Sequence, residues 1–257
     1  IMFFNSKQLK LFKGVRERIW YQQERLRTPF RRQYYKVLNR YFKEFANKVE
    51  IAYQTRSQIM LDVELRKQKD KLKIILNTLY RTVAFSFKDY ALGRFFSKDF
   101  DSDFEKELSE FIDFNTSVWA GEIDETTRKR LAKVISNSYN DGLSVEETGV
   151  ALRNTVIGMG VYRANLISRT EVHRVASFAN EAVAENMKID GTVKEWVAIQ
   201  DNRTRVSHSI ASGQRVDLKE FFVVGGERLK YPGDPRGSAG NTINCRCASI
   251  YITPDFL

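Results

Sequence analysis

The 257-residue chain has two cysteines, two histidines and four prolines, and no apolar run approaching the about twenty residues a membrane helix needs. Each scarcity excludes something. Two cysteines cannot build a disulfide scaffold, and four prolines do not make a proline-rich linker. No glycine-rich phosphate loop and no metal-binding carboxylate set are present, which argues against nucleotide-driven or two-metal chemistry. No leader of basic plus apolar residues opens the chain, so classical secretion is not expected and a reducing compartment is. What remains, 42% hydrophobic and 29% charged residues, suits a globular protein with a sizeable core.

Charge is unevenly placed. Residues 1–94 hold 22 Lys+Arg against 8 Asp+Glu, residues 95–165 hold 8 against 13, and residues 166–257 hold 12 against 11. The net charge of +10 therefore belongs to the first third, which is also dense in aromatics from Phe3 and Phe4 to Tyr90. Breakers are few there, so long helices are expected. Thr28-Pro29 predicts a helix start, with an apolar stripe of Phe30, Tyr34, Val37, Leu38, Tyr41, Phe42, Phe45 and Val49. A second helix fits 57–92, with Ile59, Val63, Leu72, Ile75, Leu76 and Leu79 as its apolar positions. Arg31, Arg32, Lys36, Arg40, Arg66, Lys67, Lys69, Lys71 and Lys73 lie mostly off these stripes, either as a solvated face or as a surface for a polyanion or acidic partner. No base-reading motif accompanies them, so contact with DNA would be to phosphates, non-specific and salt-sensitive.

The middle block opens on an acidic stretch, Lys98–Asp113. Asp99-x-Asp101-x-Asp103 lacks the central glycine and terminal glutamate of a calcium loop, so a linker and an acidic first helical turn are expected instead. Asp124 is expected to open a helix that Gly142 ends, and Ser144-Val-Glu-Glu147 to cap a short one. Gly158 and Gly160 should then break the chain before a helix over 161–188, closed by Gly191. Beyond it the period changes: Val193–Gln200 and Ala248–Ile252 read as strands, Gly225-Gly226 as a turn, and Tyr231–Pro235 as a rigid loop. The expected fold class is α+β: long N-terminal helices followed by a small α+β domain with a short sheet. The expected parts are a basic aromatic-rich region (1–94), an acidic linker with short helices (95–157) and the α+β domain (158–257).

Six pieces in order carry a resemblance. They are Arg169-Thr-Glu171-Val-His173-Arg174 on a helix, Lys194-x-Trp196, Asp201-x-Arg203-Thr-Arg205-x-x-His208, Gly213-Gln214-x-Val216, Tyr231-Pro-Gly-Asp234-Pro235 and Asn244-Cys245-Arg246-Cys247. Over roughly residues 150–252 the chain resembles the phage Mu F-like minor head proteins, also called phage head morphogenesis proteins. The resemblance implies a structural role without a cofactor: a minor protein inside the capsid of a tailed phage, near the portal, made in the host cytoplasm during assembly. The partners it implies are the portal protein, packaged double-stranded DNA and other internal capsid proteins, with no membrane while in the capsid.

The Cys, His and Arg residues of these motifs admit three readings. Cys245 and Cys247 alternate on a strand and so point to one face; zinc held by them with His173 and His208 is the first. The second is a toxin-like, nuclease-like or transferase-like site, with His208 as base, Arg203 and Arg205 as cationic clamp, and His173 or Glu171 as a further member. The third, favoured here, is structural, with no metal and no catalytic residue. In it Arg205 and His208 bond the Tyr231–Pro235 loop, Asp201 caps its turn, Arg246 pairs with Asp234 or Glu171, and the cysteines act as small buried hydrophobes.

Overall fold

The computed structural model describes residues 3–5, 14–92 and 98–254. A short strand, β1 (Phe3–Asn5), precedes four long helices: α1 (Val15–Gln54), α2 (Gln58–Leu92), α3 (Lys98–Asn140) and α4 (Val145–Asn186). Then come β2 (Val193–Val197), α5 (Val206–Ala211), β3 (Arg215–Asp217), β4 (Phe222–Val224), β5 (Glu227–Leu229), α6 (Ala239–Thr242) and β6 (Ala248–Thr253). The α+β class and the order of helices before sheet are as expected.

Several helix boundaries differ from expectation, and at Pro29, Gly158 and Gly160 packing carries a helix through a local breaker. Pro29 lies inside α1, and Thr28, rather than capping a helix, donates its hydroxyl to the Glu24 carbonyl at 2.8 Å. Asp124 lies inside α3 and opens nothing; its carboxylate takes Arg128 four residues on. The Ser144 capping box is present, with Glu147 N–H donating to Ser144 Oγ (3.1 Å) and Ser144 N–H to Glu147 Oε2 (2.8 Å). It opens a helix of 42 residues rather than a short one. Gly158 and Gly160 do not break that helix. Gly160 is used for close approach: a Cβ there would lie 2.7 Å from Cβ of Phe42 on α1. α4 stops at Asn186, short of Gly191. The expected end at Gly142 does hold: it adopts φ +70°, and Leu143 N–H reaches the Ser138 carbonyl at 2.9 Å while Gly142 N–H reaches that of Tyr139. Of the acidic linker with short helices expected over 95–157, residues 95–97 and the side chains of Asp99 and Asp101 lie outside the described residues, and nearly all the rest falls in the long helices α3 and α4 rather than in a linker.

The chain divides into two compact units, one of residues 1–31, 80–111 and 169–257, the other of residues 32–79 and 112–168. The second is helical. Tyr34, Leu38, Tyr41, Phe42, Phe45 and Val49 of α1 are buried as the stripe predicts, whereas Val37 stays exposed. On α2 the burying face is Leu61, Leu65, Leu72 and Leu76. Ile59 and Val63 are exposed, because the face that meets α1 is set by the pairing of Tyr41 with the Gln68 carbonyl (3.0 Å) and of Lys71 with Glu44.

The first unit holds the sheet, with strand order β1-β6-β2-β3, and a separate β4-β5 hairpin turned by Gly225-Gly226. β6 runs antiparallel to β2 and parallel to β1, so Phe3 and Phe4 belong to a strand rather than to a helical block. β2 alternates strictly. Val193 and Val197 pack with Ile250, Ile252 and Ile19 of α1; Trp196 faces Phe222, Val224, Leu229, Cys245 and Cys247. Both faces are covered, and β6 is buried from end to end.

Candidate functional site

Asn244-Cys245-Arg246-Cys247 leads into β6, and its geometry follows from one backbone kink. Asn244 takes φ +55°, a conformation Asn tolerates, and its N–H donates to Thr170 Oγ1 at 3.2 Å. The residues after it alternate. Cys245 and Cys247 enter the core, while Arg246 points out and forks onto Asp201 at 2.8 and 2.5 Å. α5 presents His208 inward and leaves Val206 and Ile210 exposed. His208 Nδ1 therefore lies 3.3 Å from Cys247 Sγ and 3.8 Å from Cys245 Sγ. The three ligating atoms are all within 4.8 Å of one another. Cys245 also faces the ring of His173 on α4. The structure thus brings three residues of the zinc alternative, His208, Cys245 and Cys247, into one cluster, with His173 beside Cys245 but outside that set.

The electrostatics are those of two thiols sharing a proton. Burial alone would raise the Cys245 thiol, but its hydrogen bond with Cys247 and the nearby His173 and His208 pull it well below the ordinary value. Cys247 is held well above its ordinary value by burial and by Cys245. Burial, and then the charge of Arg27, lower His173, so its ring is neutral near pH 7. Arg27, on α1, was not singled out in the sequence. It is buried, bonds Gln23 Oε1 at 2.7 Å, and burial brings its guanidinium down to about 10. From the same helix Trp20 donates to the Arg246 carbonyl (2.5 Å) and Gln23 to that of Ser249 (3.2 Å). A signal was available: Trp20, Gln23 and Arg27 continue the phase of Tyr34 and Leu38 backwards at helical spacing, so polar residues there had to be buried.

The other motif residues are engaged inside the fold, though not with the expected partners. Arg205 donates to the Ile243 carbonyl at 2.6 Å and His208 faces the cysteines, so neither bonds the Tyr231–Pro235 loop. That loop is held by Asp234, which accepts from Lys230 N–H (2.7 Å) and pairs with Arg236, and by Arg174, whose Nε donates to the Gly233 carbonyl (3.3 Å). Arg246 pairs with Asp201, because Glu171 is taken by Arg174 (2.6 Å) and by the Tyr80 hydroxyl (2.5 Å). Asp201 does cap its turn, accepting from Arg203 N–H at 3.0 Å; the Arg246 fork holds its carboxyl well below the usual range. Trp196 is fully buried, edge-on to His208 with ring centroids 5.7 Å apart. A small pocket opens above His208 and Cys247, rimmed by Arg203, Arg205 and Arg246. Arg169, near Arg31, Arg203 and Arg246, is lowered by burial and by those like charges.

A second buried network joins the sheet to α4. Lys194 Nζ donates to Glu181 Oε1 (2.5 Å) and to the Lys230 carbonyl (2.8 Å), and the Tyr251 hydroxyl donates to Glu181 Oε2 (2.9 Å). Burial raises Glu181 to about 7 despite Lys194, and burial lowers Lys194 despite Glu181; the two directions agree that desolvation outweighs their attraction.

Of the basic residues, Arg32, Lys36 and Arg40 on α1 and Arg66 and Lys67 on α2 are exposed. Lys69, Lys71 and Lys73 are half-buried, Lys71 pairing with Glu44, and Arg31 pairs with Glu24.

Comparison with known proteins adds to this geometry. The family described as Phage Mu protein F like protein matches residues 115–250, more than half of the chain. The chain belongs to that family. The family is one of phage head morphogenesis proteins. The match takes in His173, Trp196, His208, Cys245 and Cys247. The chain is also 30% identical over 130 residues to an NAD(+)–arginine ADP-ribosyltransferase, EFV, of Enterococcus faecalis. That alignment covers 49% of this chain and 26% of the relative, so the chain spans about a quarter of the relative's length. No solved structure matches. Among the described residues no helix is long and apolar enough to cross a membrane.

Proposed function

We propose that this Mu F-like protein is a minor internal capsid protein that docks at the portal vertex and assists head assembly, DNA packaging or ejection, and that it is not an enzyme. The observation carrying this reading is the family match over residues 115–250. Two features support it. The exposed basic residues Arg32, Lys36, Arg40, Arg66 and Lys67 suit the negative surface of a portal ring or of packaged DNA, whose phosphates they would contact without reading sequence. The polar groups a catalyst would use are engaged inside the fold: His208 faces two thiols, Arg205 holds a carbonyl, and Arg246 holds Asp201.

A reconstruction of the intact particle tests this placement. Density for the chain against the portal ring is expected; density confined to another site overturns it. In solution, binding of the full chain to portal rings and to duplex DNA should weaken as salt rises. It should fall further in the triple variant Arg32→Glu, Lys36→Glu, Arg40→Glu. The alternative of a toxin-like or nuclease-like module has one observation in its favour, the named activity of the E. faecalis relative. Cleavage of NAD(+) or of DNA by the wild type, lost in His208→Ala, would replace the assembly reading with that one.

A further inference from the structure

We infer that His173, His208, Cys245 and Cys247 form a closed structural zinc site at the junction of α4, α5 and β6. Three observations converge. First, the distances fit an ion. Zn–S bonds of about 2.3 Å and Zn–N bonds of about 2.0–2.1 Å in a tetrahedron set N···S edges of about 3.6 Å. His208 Nδ1 sits 3.3 and 3.8 Å from the two sulfurs, on either side of that edge, so a zinc ion between them needs only tenths of an ångström of adjustment. Ligating atoms of His208, Cys245 and Cys247 lie within 4.8 Å of one another, and His173, beside Cys245 but outside that set, must move in to become the fourth ligand.

Second, the histidines are left wanting by the protein alone. Nε2 of His173 and Nε2 of His208 are buried with no hydrogen-bond partner, although both residues are at most 3% exposed. Each buried unsatisfied group costs roughly 1–3 kcal/mol. On His208 it is Nδ1, not the orphaned Nε2, that faces the sulfurs, so a cation there takes Nδ1 and fixes the tautomer whose proton sits on Nε2. Gly233 backs the fourth ligand: its backbone lies so close that a Cβ would sit 3.0 Å from Cδ2 of His173, so the Tyr231–Pro235 loop packs against that ring.

Third, the charges balance. Two thiolates, two neutral imidazoles and Zn²⁺ sum to zero, which a site with both cysteines below 5% exposure requires. Thiolate pairs select zinc over the hard cations that carboxylates bind, and four protein ligands leave no open position for substrate. The site therefore binds α4 to the sheet and turns over nothing. It does not depend on portal docking, and the two fail separately.

Elemental analysis of the full chain, produced with zinc and dialysed against metal-free buffer, should give about one zinc per chain. Cobalt exchanged into it should show the visible bands of a tetrahedral site and a thiolate charge-transfer band. Both should vanish in Cys247→Ser and persist in Arg246→Ala, the residue between the cysteines that points outward. Zinc should shield both thiols of the wild type from alkylation, a readout that needs no variant to fold. His173→Ala should weaken zinc binding at least about tenfold; unchanged affinity would overturn the four-ligand site. Wild-type protein with less than about a tenth of a zinc per chain, and thiols that alkylate equally with and without added zinc, would overturn the proposal as a whole.

Discussion

Lys194 and Glu195 stand side by side on β2, and both are fully buried on opposite faces of the sheet. Glu195 is met by Arg16 and by Arg215 (2.7 Å), Lys194 by Glu181 (2.5 Å). Glu181 shows what this burial costs. Its folded value of about 7 lies above the ordinary 4.5, so the folded state holds its proton longer than the unfolded chain does. Stability from this group is full below about pH 4.5, falls as pH rises, and is lost above about pH 7. Denaturant titrations of wild type and Glu181→Gln across pH 4–8 should show the wild type losing about 1–3 kcal/mol relative to the variant over that window. A difference independent of pH would show that Glu181 does not carry the proton. None of this was legible in Val-Lys-Glu-Trp-Val, because a charged pair mid-strand reads locally as a solvated edge. The aromatic and sulfur residues were legible: Trp196, Cys245 and Cys247 were singled out, and all three are core.

Elements obey the same division between local signal and packing. The Ser144 box and the Gly142 stop are local hydrogen-bond devices, and both appear where the sequence put them. Gly158 and Gly160 look alike in the sequence and differ in the fold. A Cβ at Gly158 would meet nothing within 4 Å, while one at Gly160 would strike Cβ of Phe42, a rigid atom that cannot swing away. Gly158→Ala should therefore raise stability by about 0.5–1 kcal/mol through helix propensity. Gly160→Ala should lower it by about 1–3 kcal/mol by forcing α1 and α4 apart at that contact. Thermal or urea unfolding of the pair checks both signs, and two shifts of the same sign would refute the packing role. Only a neighbour 118 positions away, Phe42, distinguishes these two glycines, and no window of local sequence contains it.

The strand order β1-β6-β2-β3 places the first described strand beside the last. Phe3, Phe4 and Asn5 pair with Tyr251, Ile252 and Thr253, so both ends of the chain close one sheet. Deleting residues 1–5 should expose to hydrogen exchange the β6 amides that point toward β1, while those paired with β2, such as at Ile250 opposite Glu195, stay protected. Equal protection with and without the segment would show that β1 adds nothing to the sheet. The chain's positive charge also belongs at this scale: it is an inventory that composition settles without any fold. By itself the sequence determined the helical majority, the caps at Gly142 and Ser144, the basic first third and the identity of the residues that make the Cys–His cluster. Periodicity, capping and composition act over a few neighbouring residues, and these follow from them. Tertiary structure alone decided that α1 and α4 run through their breakers, that Arg27 and Glu181 are buried, that Arg246 finds Asp201, and that His173 and His208 converge on two thiols. Those outcomes depend on contacts between residues tens to hundreds of positions apart, where burial and close packing outweigh local preference.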